Sequence, residues 1–143
     1  MKYILQTIQK NYLLRLYRGE DILESLQKFC EHNPDIGSGR IQGIGAVSAA
    51  KIGFFDGKEY VVNTFKENLE IVSLLGNIAT SQLVHLHGIF GRADASCVGG
   101  HVMLGCIVSV TCEIQILVLD PQVSREEDPQ TKLKLLNLPH EIK

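Results

Sequence analysis

The sequence predicts an α+β fold, with one helix near the start followed by many antiparallel strands. Two patterns support this prediction. Apolar residues recur at helical spacing only between residues 22 and 30, whereas residues 40–119 alternate in the manner of strands and are interrupted by glycines. A length of 143 residues suits one compact domain. We therefore expect a single domain over residues 1–143, with residues 120–143 as a polar tail lying on the surface.

The first elements are a strand region and the helix. Residues 2–17 are rich in Tyr, Ile and Leu and predict either one strand or two strands, the second case being a hairpin that turns near Lys10-Asn11. The helix is predicted from an apolar face with helical spacing and from acidic residues at its start, where they interact favourably with the helix dipole. It should end at Asn33-Pro34, because the residue before proline disfavours the α conformation. The residues of the apolar face are Ile22, Leu23, Leu26, Phe29 and Cys30.

Nearly all of the chain from residue 40 to residue 119 is predicted as strand. Asp56-Gly57 predicts a tight hairpin turn, since glycine readily adopts the positive φ that such a turn needs. A loop bracketed by glycines is expected over residues 91–100. The predicted strands are residues 40–47, 49–55, 59–65, 69–75, 82–90 and 101–119.

Charge and composition argue against two classes of protein. The formal net charge is −2, without the basic excess typical of proteins that bind duplex DNA. No apolar run is long enough for a membrane span, and residues 1–12 do not resemble a signal peptide. The four cysteines have irregular spacing and indicate free thiols. These features predict a cytoplasmic protein.

The pair His85 and His87 is the sharpest local feature. Side chains two residues apart in a strand project from the same face, so both imidazoles could reach one metal ion. The alternative is that they are two polar residues on the solvent face of a half-buried strand.

A third histidine favours the metal site. His101 follows Gly99-Gly100 and opens the next predicted strand, so an antiparallel neighbour could bring it beside the pair. Three imidazoles with one open position describe a catalytic type of zinc site. His32 and His140 fall at a helix end and in the tail, and are expected to be solvated.

Two carboxylates are candidate catalytic groups. Glu113 falls on the polar face of its strand, which also fits a solvated acid. Glu70 lies in a strand that is apolar on both faces, where a buried carboxylate would need a cation or a hydrogen-bonding partner. Burial would raise its pKa towards the range useful for general acid–base chemistry. A structural salt bridge to Arg40 or Arg92 is the alternative.

Four runs of sequence resemble the plant and prokaryote conserved (PPC) domain in order and spacing. They are residues 40–47, 69–78, 84–87 and 98–101, and the resemblance extends from about Tyr12 to Leu138. It implies an antiparallel sheet curled into an open barrel with the helix packed alongside, assembled as a homotrimer. For prokaryotic members it also implies a metal ion, usually zinc, held by His85, His87 and His101.

Plant members carry an AT-hook before this domain, and the stretch matching residues 69–74 contacts other proteins. This sequence has no Arg-Gly-Arg-Pro core, the segment that enters the minor groove, so the resemblance gives DNA binding little support here. A more distant similarity, to acetolactate decarboxylase, rests on a related fold with an HxH pair and a later histidine. It makes metal-assisted chemistry conceivable by analogy.

Three functions follow as hypotheses. The first is a metal-dependent lyase or hydrolase acting on a small molecule, in which zinc polarises a carbonyl or activates water and Glu70 or Glu113 moves the proton. The second is a DNA-associated or partner-binding regulator with a structural metal. The third is a structural trimer without metal. Of these properties, the sequence supports metal binding more strongly than enzymatic turnover or direct DNA binding. It does not identify the metal, because imidazole ligands suit several metals.

Overall fold

The structure is a computed structural model and describes residues 1–142. It contains one α-helix, α1 (Ile22–His32), a short 3-10 helix (Thr80–Gln82) and eleven strands over that range. The strands are β1 (Lys2–Tyr3), β2 (Thr7–Tyr17), β3 (Gly39–Phe55), β4 (Tyr60–Phe65), β5 (Leu69–Ala79), β6 (Leu83–Gly91), β7 (Cys97–Val102), β8 (Ile107–Asp120), β9 (Ser124–Glu127), β10 (Lys134–Asn137) and β11 (His140–Glu141).

Helix α1 forms where the sequence predicts it. Asp21 caps its N-terminus, because its carboxylate accepts a hydrogen bond from the Glu24 backbone N–H at 3.0 Å. Asn33 closes the other end by donating its backbone N–H to the Cys30 carbonyl. The buried face consists of Ile22, Leu26 and Cys30 and packs against β6 and β8.

The main sheet is antiparallel, with the strand order β2-β8-β3-β5-β6-β7. The long strand β3 pairs with β8 and β5 through its first half, and with β4 and β7 near its end. Strand β7, at the end of this order, also pairs with β3, so the sheet bends back on itself and is strongly curled. One helix against a mainly antiparallel sheet confirms the predicted α+β class.

Several predicted boundaries are wrong. Strand β2 runs unbroken from Thr7 to Tyr17 and makes no hairpin near Lys10-Asn11, because it pairs with β8 along its length. A bulge at Gln9 adjusts the register instead. Strand β3 continues through Ser48, and β7 already begins at Cys97, inside the predicted loop.

One apolar cluster forms the core between α1 and the inner face of the curled sheet. Alternate residues of each strand point inward, which leaves the other face of the sheet outside the core. The largest fully buried side chains are Phe90, Ile22, Leu26, Ile36, Ile41, Leu74, Ile78, Leu86, Ile114 and Ile116.

The segment that follows residue 120 lies on the outside of the sheet. It contains the hairpin β9–β10, and β11 pairs with β1. Val123 is buried and its carbonyl accepts a hydrogen bond from the Thr80 N–H at 2.8 Å, which ties the segment to the 3-10 helix between β5 and β6. Among the helices of residues 1–142, none has the length and apolar character needed to cross a bilayer.

Candidate metal centre

The outer face of the curled sheet brings three histidines together. On β6, Leu86 and Phe90 point into the core, so His85 and His87 point outward. His101 on β7 lies directly opposite His87 in the antiparallel register. The expectation that His101 would lie beside the pair is therefore confirmed.

The distances suit a shared metal ion. The Nε2 atoms of His85 and His87 are 3.1 Å apart, and one ring nitrogen from each of the three histidines lies within 4.8 Å of the other two. Two nitrogens bound tetrahedrally to one zinc ion, each about 2.0–2.1 Å from it, lie roughly 3.4 Å apart. Little movement is thus needed for the three imidazoles to become ligands of one ion.

Glycines allow the three strands at this site to approach closely. A Cβ atom at Gly100 would lie 2.8 Å from the Gly53 carbonyl oxygen on β3, which is too close for a side chain. Gly100 also pairs with Gly88 of β6. The glycines before His101 therefore bring its backbone against both neighbouring strands.

The surroundings favour the neutral form of two of the three imidazoles, those of His85 and His101. Burial lowers the pKa of His85 to about 4, and the charge of Arg125 and the other two histidines act in the same direction. The pKa of His101 is also lowered, mainly by burial and to a smaller extent by the charge of nearby His87. The neutral ring is the form that binds metal. In addition, the Nδ1 atom of His101 is buried and has no hydrogen-bond partner among the described residues. The donor set therefore fits a transition-metal ion.

A cavity of about 190 Å³ opens beside the histidines. Its lining includes His85, His101 and Arg125, together with Tyr60, whose ring centroid lies 5.2 Å from that of His101. The Arg125 Nη2 atom is 3.3 Å from His85 Nδ1. Sequence reasoning missed Arg125 and Tyr60, because neither belongs to a local motif and only the folded chain places them here.

The two predicted catalytic carboxylates lie elsewhere. Glu70 lies on β5, where it pairs with Gly91 and Ala46. His85 pairs with Asn77, seven residues further along the same strand, so Glu70 is roughly 20 Å from the histidine site along β5. Glu113 lies on β8, which is separated from β6 by β3 and β5. Within one copy of the chain, neither carboxylate joins the histidines.

The expected burial of Glu70 is wrong. A bulge in β5 between Ile71 and Ser73 shifts the alternation, so Leu74 points into the core while Val72 and Glu70 are exposed. The alternative salt bridge from Glu70 to Arg40 or Arg92 is not formed either: Arg92 pairs with Glu67 at 3.1 Å, and Arg40 has no ion pair among the described residues. Glu113 is exposed, as its place on a polar face predicted.

Comparison with known proteins identifies the family. The family model of the Plants and Prokaryotes Conserved (PCC) domain matches residues 3–120, and the chain belongs to this family. A metal-containing protein from Archaeoglobus fulgidus is 35% identical, with a TM-score of 0.85 over 96% of this chain and 99% of that one. A protein from Bacteroides thetaiotaomicron, provisionally named a DNA-binding protein, is 30% identical, with a TM-score of 0.85 over 93% and 97% of the two chains.

Two further similarities are more limited. The bifunctional protein GlmU of a Synechococcus strain is 33% identical over 122 residues, which are 84% of this chain but 19% of that protein. The chain thus spans about a fifth of the length of the curated relatives it matches. A Staphylococcus aureus protein similar to α-acetolactate decarboxylase is 12% identical with a TM-score of 0.51, over 78% of this chain and 53% of that one, which supports a shared fold alone.

Proposed function

We propose that this chain binds one divalent transition-metal ion, zinc in the first instance, through His85, His87 and His101. The observation that carries the proposal is the convergence of three imidazoles on the outer face of one sheet, with two Nε2 atoms 3.1 Å apart. Three protein ligands leave the fourth position of a tetrahedral ion open to water or a small ligand. The metal-containing relative from Archaeoglobus fulgidus supports the same conclusion.

Elemental analysis of the purified protein tests this proposal. We expect one metal ion per chain in the wild type and its loss in His87→Ala, because removal of one of three ligands leaves only two imidazoles. His140→Ala removes an exposed histidine and should leave the metal content unchanged. An unchanged metal content in His87→Ala would overturn the proposed site.

The second part of the proposal is assembly as a homotrimer, with each sheet curled as an open barrel. The outer sheet face exposes several large apolar side chains where a soluble chain normally presents polar ones. Leu75, which is 49% exposed, pairs with His87, so this face borders the metal site. Its apolar members are Leu13, Ile44, Val72, Leu75 and Ile89, called here the apolar sheet face.

A metal-dependent lyase or hydrolase acting on a small molecule is one alternative. A bound zinc ion would supply the Lewis acid, and the three imidazoles would hold it in place. In this alternative, the proton transfer predicted for Glu70 or Glu113 requires another copy of the chain to present the carboxylate, because one copy keeps both away from the histidines.

A DNA-associated or partner-binding regulator in the cytoplasm is the other alternative. It is supported by the relative from Bacteroides thetaiotaomicron, whereas the net charge of −2 opposes it. The four free cysteines are compatible with a reducing compartment. Gel shifts at several salt concentrations separate the alternatives, because affinity for duplex DNA must fall steeply as salt rises.

A further inference from the structure

Arg125 lies at the edge of the histidine cluster and is held there by the hairpin β9–β10. Its Nη1 atom donates to the Lys134 carbonyl oxygen at 2.7 Å, and its Nη2 atom donates to Asn77 Oδ1 at 2.6 Å. Nη2 is also 3.3 Å from His85 Nδ1. The guanidinium is therefore fixed in position beside one of the proposed metal ligands.

The charge of Arg125 is not balanced by an acid. Among residues 1–142, no carboxylate lies within ion-pair distance of it, and its buried Nε atom has no hydrogen-bond partner. A buried donor without an acceptor normally costs about 1–3 kcal/mol. Arginine in such a place commonly binds the planar oxygens of a carboxylate or phosphate.

The cavity next to Arg125 has the size and charge for a small anion. Its volume of about 190 Å³ corresponds to roughly six water molecules at about 30 Å³ each. Lys134 is the second cationic residue in its lining, which contains no acidic residue, while Leu83 and Leu133 supply apolar surface. One wall is formed by His85 and His101, so a ligand in the cavity would contact the metal centre.

The tautomer of His85 strengthens this argument. In the metal-free chain, His85 Nδ1 accepts a hydrogen bond from the Arg125 Nη2–H group. Nδ1 therefore carries no proton, and the single proton of the neutral ring is on Nε2. A neutral His85 that gives Nε2 to a metal must carry its proton on Nδ1 instead. Two donors, His85 Nδ1–H and Arg125 N–H, would then face each other, and an anionic acceptor would satisfy both.

We propose that Arg125 binds the carboxylate of a small organic acid that occupies this cavity beside the metal. The proposal rests on the proposed metal site and names the class of its ligand. One carboxylate oxygen accepts from the guanidinium, and the second oxygen would face the proposed metal position between the histidines. Arg125 is thus a residue that selects the ligand, in addition to supporting the hairpin.

Cobalt(II)-substituted protein provides the test, because its visible spectrum changes when a ligand reaches the metal. Acetate should shift the spectrum of the wild type in a saturable way, whereas acetamide, its neutral analogue, should not. Arg125→Gln should weaken acetate binding roughly ten- to hundredfold, the equivalent of one charged hydrogen-bond partner. The matched control Lys134→Gln leaves the guanidinium in place and should weaken it far less.

Equal affinity of wild type and Arg125→Gln for acetate would overturn the proposal, as would equal affinity for acetate and acetamide. Tighter binding of inorganic phosphate, again dependent on Arg125, would overturn the choice of a carboxylate. If Arg125→Gln does not fold, Arg125→Lys takes its place. Lysine keeps the positive charge but lacks the paired N–H donors of the guanidinium, so this variant should bind acetate more weakly than the wild type.

A measurement on metal-free protein tests the carboxylate site independently of the proposed metal site. If the wild type takes up no cobalt, the proposed metal function fails, but the NMR signal of Arg125 Nε–H still reports on the anion. A shift of that signal with acetate and not with acetamide supports the carboxylate site. Absence of the shift overturns it.

Discussion

At the scale of single residues, His85 and His87 project from the same strand face but differ in environment. His85 is half-buried and faces Arg125, while His87 is exposed beside Leu75. The alternation of a strand predicted the pair. It could not predict the difference, because that depends on a residue forty positions away. The predicted burial of Glu70 is wrong for a related reason, because the bulge in β5 changes which side chains of that strand point inward.

The lowered pKa of His85 predicts how the metal-free protein responds to acid. The folded ring takes up its proton only near pH 4, whereas in the unfolded chain it does so near its ordinary pKa of 6.5. Between these values the unfolded chain binds more protons, so the free energy of unfolding should fall as pH falls from 6.5 towards 4. The lowered pKa of His101 contributes with the same sign.

Thermal unfolding of metal-free protein at several pH values checks this prediction. His85→Asn should lose less stability over that pH interval than the wild type, since it no longer has the ring that titrates. His140→Asn, an exposed histidine, serves as the control and should behave like the wild type. Identical pH dependence in His85→Asn and the wild type would contradict the prediction.

At the scale of elements, the helix was predictable and some strand limits were not. Helix α1 has local signals at both ends, Asp21 and Asn33-Pro34. The extent of β3 depends on neighbours that are distant in sequence, so its continuation through Ser48 has no local signal. The sequence predicts Gly99 and Gly100 as the end of a loop, but both lie within β7, where Gly99 permits the close approach of β6 and Gly100 that of β3.

Gly100→Ala tests the importance of that approach. Its methyl group would meet the Gly53 carbonyl oxygen, so β3 and β7 must separate. We expect a loss of about 1–3 kcal/mol in the free energy of unfolding, measured with urea, together with weaker retention of metal by the displaced His101. In the control Gly91→Ala, the nearest atom is a Val72 methyl group at 3.1 Å, which can adjust, and both effects should be smaller. Equal effects of the two substitutions would argue against this role of Gly100.

At the scale of the whole molecule, the curled sheet presents two different faces. The inner face forms the core, and the outer face carries both the histidines and the apolar sheet face. The sequence predicted the antiparallel sheet and the three histidines. It did not indicate that they share a surface with exposed apolar residues, because that depends on the curl and on the bulges in β3 and β5.

Ile44→Asp tests the proposed trimer. Ile44 is 59% exposed in the single chain, so a charge there should disturb the monomer little but should prevent packing of the apolar sheet face. Light scattering should give a mass three times the 15.9 kDa of the chain for the wild type and close to one chain for the variant. Leu104→Asp places the same charge at an exposed residue outside this face and should remain trimeric. A monomeric wild type would contradict the prediction.

The position of the β9–β10 hairpin has a consequence for how related proteins can differ. The match to the family model ends at residue 120, so it includes the three histidines and does not include Arg125. On the proposal that Arg125 selects the ligand, a change confined to this short hairpin alters which anion is accepted while the three proposed metal ligands stay the same. Transplanting hairpins between relatives would then re-engineer ligand choice while the three proposed metal ligands are kept constant.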